Sequence, residues 1–257
     1  SVGATENILL AACTAKGETV ITNAAQEPEI VDLAGFLNAM GGKITGAGKS
    51  TVRVEGVKKL HPVHWRVMPD RIAAATWLAM VCASRGRICL KEFPTHLLQG
   101  VYPVLEEMGA KLRLEERQVS LVQEGRLRRV KQLRTMPYPG FPTDAQSVFL
   151  AALTTARGTS LIVENIFTDR FRPVGELLRM GADVRVEGRA ALVHGVKQLY
   201  AAPVEATDLR GGAALVTAGL MAKGTTVIHG IHHIDRGYEH LEDTLTELGA
   251  SVRRIRQ

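Results

Sequence analysis

One helix-ending signature recurs four times along this chain of 257 residues, and it constrains the fold more than any other feature. The runs Leu9 to Ile21, Leu78 to Ile88, Leu150 to Ile162 and Val216 to Ile228 each carry small and apolar residues up to a basic residue, then a glycine, then the start of a strand-forming segment. Glycine suits the left-handed position that closes a helix, and β-branched residues suit a strand. The four glycines, Gly17, Gly86, Gly158 and Gly224, are spaced 69, 72 and 66 residues apart. A second landmark keeps step: amphipathic helix ends close at Gly41, Gly109, Gly181 and Gly249. After the first three of these come pairs of alternating strand-like segments such as Val184 to Val186 and Ala191 to Val196. Each unit reads helix, strand, helix, strand, strand, with a period too long for a usual solenoid repeat. The first helix of each unit is almost without charge, which predicts burial on all sides and therefore helices inside and sheets outside. The expected architecture is an α/β (α+β) fold of repeated lobes. Residues 65–257 would form one lobe of three units with approximate three-fold symmetry, and residues 1–64 the remnant of another lobe.

Composition excludes several classes. A chain that is 46% hydrophobic and 23% charged can bury a sizeable core. It has no apolar run of 18 residues and nothing that resembles a signal peptide, so it is expected to be cytoplasmic and to have no membrane partner. The net charge of +6 is scattered instead of forming a stripe with interleaved aromatics, which favours small anionic ligands over nucleic acid. Cys13, Cys82 and Cys89 lack C-x-x-C spacing and paired histidines. They are expected to be small core hydrophobes, and no metal site is expected. The start at Ser1, without methionine and in what reads as the end of a strand, points to a processed or truncated product.

The segment Tyr138 to Gln146 stands at the head of the third repeat. Pro139, Gly140 and Pro142 deny it regular structure, and Thr143 or Asp144 is placed to cap the apolar helix that follows. Asp70 and Asp208 stand at comparable helix starts and are read as caps first. From the residues alone, Asp144 is either such a cap or a carboxylate presented for chemistry.

Six ordered motifs carry a resemblance that covers essentially the whole chain. They are Ser1 to Asn7, Glu27 to Asp32, Pro69 to Ile72, Phe141-Pro142-Thr143-Asp144-Ala145-Gln146, Ala206 to Arg210, and His233-Ile234-Asp235-Arg236-Gly237-Tyr238-Glu239. Together they resemble the carboxy-terminal part of the UDP-N-acetylglucosamine 1-carboxyvinyltransferase family of enolpyruvyl transferases. The resemblance implies two lobes of βαβαββ units, each an inside-out α/β barrel. It implies transfer of the enolpyruvyl group of phosphoenolpyruvate to the 3′-hydroxyl of UDP-N-acetylglucosamine, a step of peptidoglycan synthesis, with no cofactor. Asp144 would sit beside the attacking hydroxyl as base or orienting group. Ser1, Val2 and Gly3 would meet the nucleotide sugar from a strand end before a helix, and Ile166 would give it an apolar contact or else pack in the core. Arg210 and Arg236 would hold phosphoenolpyruvate, whose carboxylate and phosphate both suit guanidinium forks. The bland alternatives are a salt bridge to an aspartate for Arg210 and a surface charge for Arg236. Arg170 corresponds to an arginine near the family's cleft. The family's amino-terminal Lys-Asn pair and its mobile loop with a reactive cysteine have no counterpart here, so the chain alone is expected to be inactive. A shikimate-phosphate enolpyruvyl transferase, a non-catalytic nucleotide-sugar module and an RNA-processing enzyme with a similar repeat are the competing readings; the scattered basic residues speak against the last.

Overall fold

The computed structural model describes residues 1–255; residues 256 and 257, which end the expected second lobe, lie outside the described residues. The chain divides into two compact units: Ser1–Asp70 with Pro137–Pro139, and Arg71–Met136 with Gly140–Gln257.

The smaller unit contains α1 (Val2–Ala12), β1 (Glu18–Thr22), α2 (Pro28–Ala39), β2 (Lys43–Thr45) and β3 (Thr51–Glu55), the order expected for one repeat. Its sheet is antiparallel with order β1-β3-β2, so the last strand is central. Alternation along β3 points Val52 and Val54 inward, opposite Ile21 and Ile44. These side chains meet Leu9, Ile30, Ala34 and Leu37 from the two helices in one apolar core. Pro28 opens α2 at a position where a missing N–H costs nothing. The division falls six residues beyond the expected boundary. Trp65 lies against Phe36, with ring centroids 6.1 Å apart, and against the bare backbone of Gly35, which draws 65–70 to this unit. The expectation that α1 is buried on all sides is corrected. Leu9 and Ala12 are buried, but Ile8 and Leu10 are exposed. An uncharged helix is enclosed only where enough neighbours surround it.

The larger unit holds three repeats. The first comprises α3 (Arg71–Ala83), β4 (Arg87–Lys91), α4 (Tyr102–Met108), β5 (Lys111–Glu115) and β6 (Gln118–Val122). The second comprises β7 (Gln132–Arg134), α5 (Thr143–Leu153), β8 (Thr159–Val163), α6 (Val174–Arg179), β9 (Asp183–Glu187) and β10 (Ala190–His194). The third comprises β11 (Leu199–Tyr200), β12 (Pro203–Glu205), α7 (Leu209–Met221), β13 (Ala222–Lys223), β14 (Val227–His229), α8 (His232–Asp235) and α9 (Leu241–Glu247). The sheet order β4-β6-β5 repeats that of the smaller unit, and β7-β8-β10-β9 adds a parallel strand to the same pattern. In the third repeat β11 pairs with β13 and β12 with β14, both parallel. Among the described residues no strand follows α9.

Helices α3, α5 and α7 pack against one another in the centre. Every residue of α5 from Ala145 to Leu153 is buried, and the sheets cover the outside with Val119, Leu121, Ile162, Ala191 and Val193 facing in. Full burial of each Leu, Val or Phe here contributes about 1.5–3 kcal/mol. The helices-inside arrangement expected from charge depletion is thus present in this unit. The second landmark also stands, since Gly41, Gly109, Gly181 and Gly249 all have φ between 88° and 104°. The first landmark varies once. At the end of α3 the left-handed residue is Arg85 (φ 58°), and Gly86 closes the helix by donating to the Val81 carbonyl.

A recurrent seam closes the repeats. Gly56, Gln123 and Gly195 each donate a backbone N–H to the glycine of the first landmark, Gly17, Gly86 and Gly158. At Gly195 the approach is so close that a Cβ would lie 1.6 Å from the Ala156 carbonyl oxygen. The guanidinium of Arg126 strengthens this seam by donating to the carbonyls of Thr155, Ala156, Gly195 and Val196 at 2.8–3.2 Å. It thereby satisfies carbonyls that the end of α5 leaves open.

The cysteines divide. Cys13 and Cys82 are buried, and burial pushes both thiols up, Cys82 to about 12. Cys89 corrects the expectation of a core residue: it is exposed on β4, 3.5 Å from the Ser120 hydroxyl, because strand alternation gives the inward face to Ile88 and Leu90. No helix of the described residues is long and apolar enough to cross a membrane.

Candidate active site

Two aromatic rings fix where the breaker segment enters α5. Phe141 is buried edge-to-face on Phe149, with centroids 5.0 Å apart, and Pro142 supplies the extended residue just before the helix. Helix α5 therefore starts at Thr143, earlier than expected. Neither Thr143 nor Asp144 caps it by a side-chain hydrogen bond, which corrects the capping expectation. Asp144 instead lies in the first turn, where a carboxylate is favoured by the helix dipole, and its side chain is turned to two arginines.

Its two oxygens are held separately. Oδ1 accepts from Arg170 Nη2 at 2.8 Å and Oδ2 from Arg210 Nη2 at 3.0 Å. The side chains of Arg170 and Arg210 are only 11% and 19% exposed, against 38% for Asp144, so the carboxylate is the solvent-facing member of the triad. Arg170 is pinned further by donation from Nε to Thr143 Oγ1 at 3.2 Å, by the Phe167 ring 4.6 Å below its guanidinium, and by the Ser147 hydroxyl on its carbonyl. Arg210 follows Asp208, whose side chain caps α7 by accepting from the N–H groups of Arg210 and Gly211. Burial works against the Arg210 charge, but Asp144 and the hydrogen-bonded Tyr238 outweigh it and hold its pKa above the ordinary arginine value. Tyr238 is itself 2.8 Å from Thr76 of α3, whose hydroxyl donates to Ile72. Asp144 is thus tied to α7 through Arg210, and Tyr238 to α3 through Thr76.

A cleft of about 270 Å³ opens beside Asp144. Besides Asp144, Arg170 and Arg210 it is lined by Phe167, Asp169, Arg172, Asp208, Leu209 and Arg236. Four guanidinium groups face three carboxylates, which leaves one positive charge in excess. Arg172 pairs with Asp169 at 2.7 Å. Arg236, at the end of α8, makes no ion pair among the described residues and is the cation available to an incoming anion. A carboxylate has about four lone-pair sites, so Asp144 can still accept a proton or a hydroxyl hydrogen bond while both arginines hold it.

The structure therefore brings Asp144, Arg170, Arg210 and Arg236 to one cleft. Ile166 stands beside it in sequence, 46% exposed and not part of the core. Ser1 is the N-cap of α1, and Val2 and Gly3 begin that helix, in the smaller unit. Val2 and Gly3 already lie in the helix, which corrects the expectation that they stand at a strand end. Gly3 leaves open space around its α-carbon. Phe167, Arg172, Asp169 and Tyr238 were not singled out from the sequence. Phe167 and Asp169 had a signal in flanking Ile166 and Arg170, and Tyr238 in its place in the Asp235 to Glu239 motif; Arg172 had none.

Comparison with known proteins agrees with the architecture. The profile of the family described as EPSP synthase (3-phosphoshikimate 1-carboxyvinyltransferase) matches residues 1–245. The chain is 50% identical over 255 residues to UDP-N-acetylglucosamine 1-carboxyvinyltransferase 2 of Caldanaerobacter subterraneus subsp. tengcongensis, covering 99% of this chain and 61% of that protein. It is also 50% identical over 256 residues to UDP-N-acetylglucosamine 1-carboxyvinyltransferase of Shewanella sp. (strain ANA-3), with the same coverage. Among solved structures it resembles the enolpyruvyl transferase NikO from Streptomyces tendae, with a TM-score of 0.87, 28% identity and coverage of 98% of this chain and 60% of that one. EPSP synthase from Acinetobacter baumannii shares the fold at a TM-score of 0.72 and 20% identity, over 100% of this chain and 62% of that one. The chain thus spans about three-fifths of the length of these relatives. With its repeat-built core and the match over residues 1–245, the chain belongs to the EPSP synthase (3-phosphoshikimate 1-carboxyvinyltransferase) family.

Proposed function

We propose that the chain is part of an enzyme that transfers the enolpyruvyl group of phosphoenolpyruvate to the 3′-hydroxyl of UDP-N-acetylglucosamine. The observation that carries this reading is the carboxylate of Asp144 held toward solvent by Arg170 and Arg210, with Arg236 uncommitted beside it. An alcohol is a poor nucleophile at neutral pH, and a fixed carboxylate can accept its proton as the oxygen–carbon bond forms. Carbon 3 of phosphoenolpyruvate takes a proton as carbon 2 gains the sugar oxygen; when carbon 3 gives a proton back, the carbon–oxygen bond to phosphate breaks, the double bond is restored and inorganic phosphate leaves. Arg210 and Arg236 supply the donors that the phosphate and carboxylate of phosphoenolpyruvate require. The half-identity to relatives named for the UDP-sugar reaction, against 20% to an EPSP synthase, favours the amino sugar over shikimate phosphate. In this reading Ser1, Val2, Gly3 and Ile166 meet the nucleotide sugar, no cofactor, metal or nucleic acid takes part, and the enzyme works in the cytoplasm. The larger unit is the three-repeat lobe, and the smaller one belongs to a lobe that extends beyond this chain.

Phosphate release tests the reading in the longer protein. Release should require both phosphoenolpyruvate and UDP-N-acetylglucosamine and should not be supported by shikimate 3-phosphate. Arg236→Lys keeps the charge but loses the planar fork, so the KM for phosphoenolpyruvate should rise about tenfold while that for the UDP-sugar changes little. Release with shikimate 3-phosphate alone as acceptor would assign the other reaction. Binding of the UDP-sugar without any release would leave a non-catalytic module. The 257-residue chain by itself should show no release.

A further inference from the structure

We propose that Glu164 is a positioning residue for the cleft: its buried carboxylate sets the turn at 164–170 so that Arg170 reaches Asp144. The proposal rests on the reading of Asp144 and Arg170 as groups of the active site. Glu164 follows β8 directly and is 1% exposed. Its Oε1 accepts three hydrogen bonds, from Thr135 Oγ1 at 2.8 Å and from the backbone N–H groups of Ile166 at 2.8 Å and Phe167 at 2.9 Å. Thr135, fully buried, ties the same turn from the other side: its hydroxyl accepts from Asn165 N–H and its carbonyl from Asn165 Nδ2.

The geometry runs from this node to the cleft without a gap. A chain that leaves a sheet must find new acceptors for its N–H groups, and one carboxylate oxygen serves two in succession here. With its N–H held, Phe167 places its ring under the guanidinium of Arg170, which then bonds Thr143 and Asp144. Glu164 does not line the cleft and acts through these neighbours. Stability alone does not account for a carboxylate at this place, because its second oxygen is buried without a protein donor, and burying such a group is unfavourable. A leucine would avoid that cost and would leave both N–H groups without an acceptor.

The test uses the ¹⁵N-labelled 257-residue chain and the variants Glu164→Gln, Glu164→Ala and Glu164→Asp. Glutamine keeps an acceptor oxygen at the same reach, whereas aspartate keeps the charge and falls one carbon short. Three quantities are read: the Arg170 Nε–H resonance, which its bond to Thr143 protects, the amide exchange of Ile166 and Phe167, and the exchange of Leu150 and Leu153 in the core of α5. Glu164→Gln should keep the Arg170 signal and exchange the two turn amides within about threefold of the parent. Glu164→Ala and Glu164→Asp should lose the signal and exchange those amides about tenfold faster or more, with Leu150 and Leu153 unchanged within about threefold. An Arg170 signal and turn protection that survive in Glu164→Ala or Glu164→Asp would overturn the proposal. So would loss that spreads equally to Leu150 in all three variants, since that describes a fold defect. These readouts need no turnover, so a longer protein that releases no phosphate would sink the enzymatic reading and leave standing only the placement of Arg170 by Glu164.

Discussion

Replacing Asp144 by Asn removes one negative charge and keeps the shape, and the structure sets the sign of three separate effects. Arg170 and Arg210 are largely buried and lose their shared counter-ion, a change that costs about 3–5 kcal/mol when a fully buried pair is broken. Asp144 is itself more than a third exposed, so solvent screens both pairs, and the surface limit is about 0–1 kcal/mol. A loss of about 1–2 kcal/mol lies between these limits, equivalent to a fall in Tm of about 2–8 °C for a domain of this size. At the same time the cleft gains one positive charge. Over a separation of roughly one Debye length, about 10 Å, and an effective dielectric near 20, that charge favours an inorganic anion by about 1 kcal/mol, or about fivefold in Kd. Turnover in the longer protein should fall by about a hundredfold to ten-thousandfold if the carboxylate takes or orients the hydroxyl proton. Scanning calorimetry and phosphate titration at low salt on the 257-residue chain, with phosphate release on the longer protein, measure all three. Tighter phosphate binding together with lower Tm and turnover is the expected signature. An unchanged Tm with unchanged phosphate affinity would show that the carboxylate does not hold the two guanidinium groups, and the account of the cleft would be wrong.

Gly195→Ala drives a Cβ into the Ala156 carbonyl and should cost about 3 kcal/mol or more, read as loss of a cooperative melt, while Gly175→Ala in α6, which meets nothing within 4 Å, should be neutral or stabilising by about 0.4–1 kcal/mol. Iodoacetamide at pH 8 should label Cys89 in the native chain and spare Cys13 and Cys82, whose raised pKa values and burial keep them as protected thiols; mass spectrometry after denaturation should find all three reactive. Arg254 holds Asp235 and Glu242 below their usual pKa values by hydrogen bonds, so this clamp is complete above the ordinary carboxylate range and is lost as pH falls through the lowered values. Amide exchange of α8 and α9 should accelerate below about pH 4 in the parent and already at pH 7 in Arg254→Ala.

The repeat was legible because its signals are local: a helix almost without charge, a glycine at or beside the left-handed position that closes it, and a strand of alternating residues. Whether such a helix is enclosed was not legible. α1 and α5 are alike in apolar content, yet Leu10 is exposed and Leu150 is not, since exposure depends on neighbours supplied from elsewhere. Cys89 could have been placed correctly, because Ile88 and Leu90 already claimed the inward face of a strand with period two. Asp144 stood out through the breakers before it, but its partners lie 26 and 66 residues away, and an arginine bound for a salt bridge reads the same as one bound for solvent. The contact of Thr76 with Tyr238 spans 162 residues and leaves no trace in any window of sequence. Glu164 was hidden for a similar reason, since its role depends on two backbone N–H groups and on Thr135 from a separate strand end.

The polar contacts behind the cleft are shared among the repeats. Thr76 comes from the first repeat of the larger unit, Asp144 and Arg170 from the second, and Arg210 and Tyr238 from the third. Each copy can build its own sheet and contribute its own central helix, but no copy contains both members of the Asp144–Arg210 pair or of the Thr76–Tyr238 contact. An ancestral single unit therefore could have possessed the scaffold and not this constellation. Asp144 and Arg210 stand equally far before their landmark glycines, Gly158 and Gly224, whereas the first repeat has Ile72 at that place, so the ion pair across the cleft exists because two copies of one position carry opposite charges.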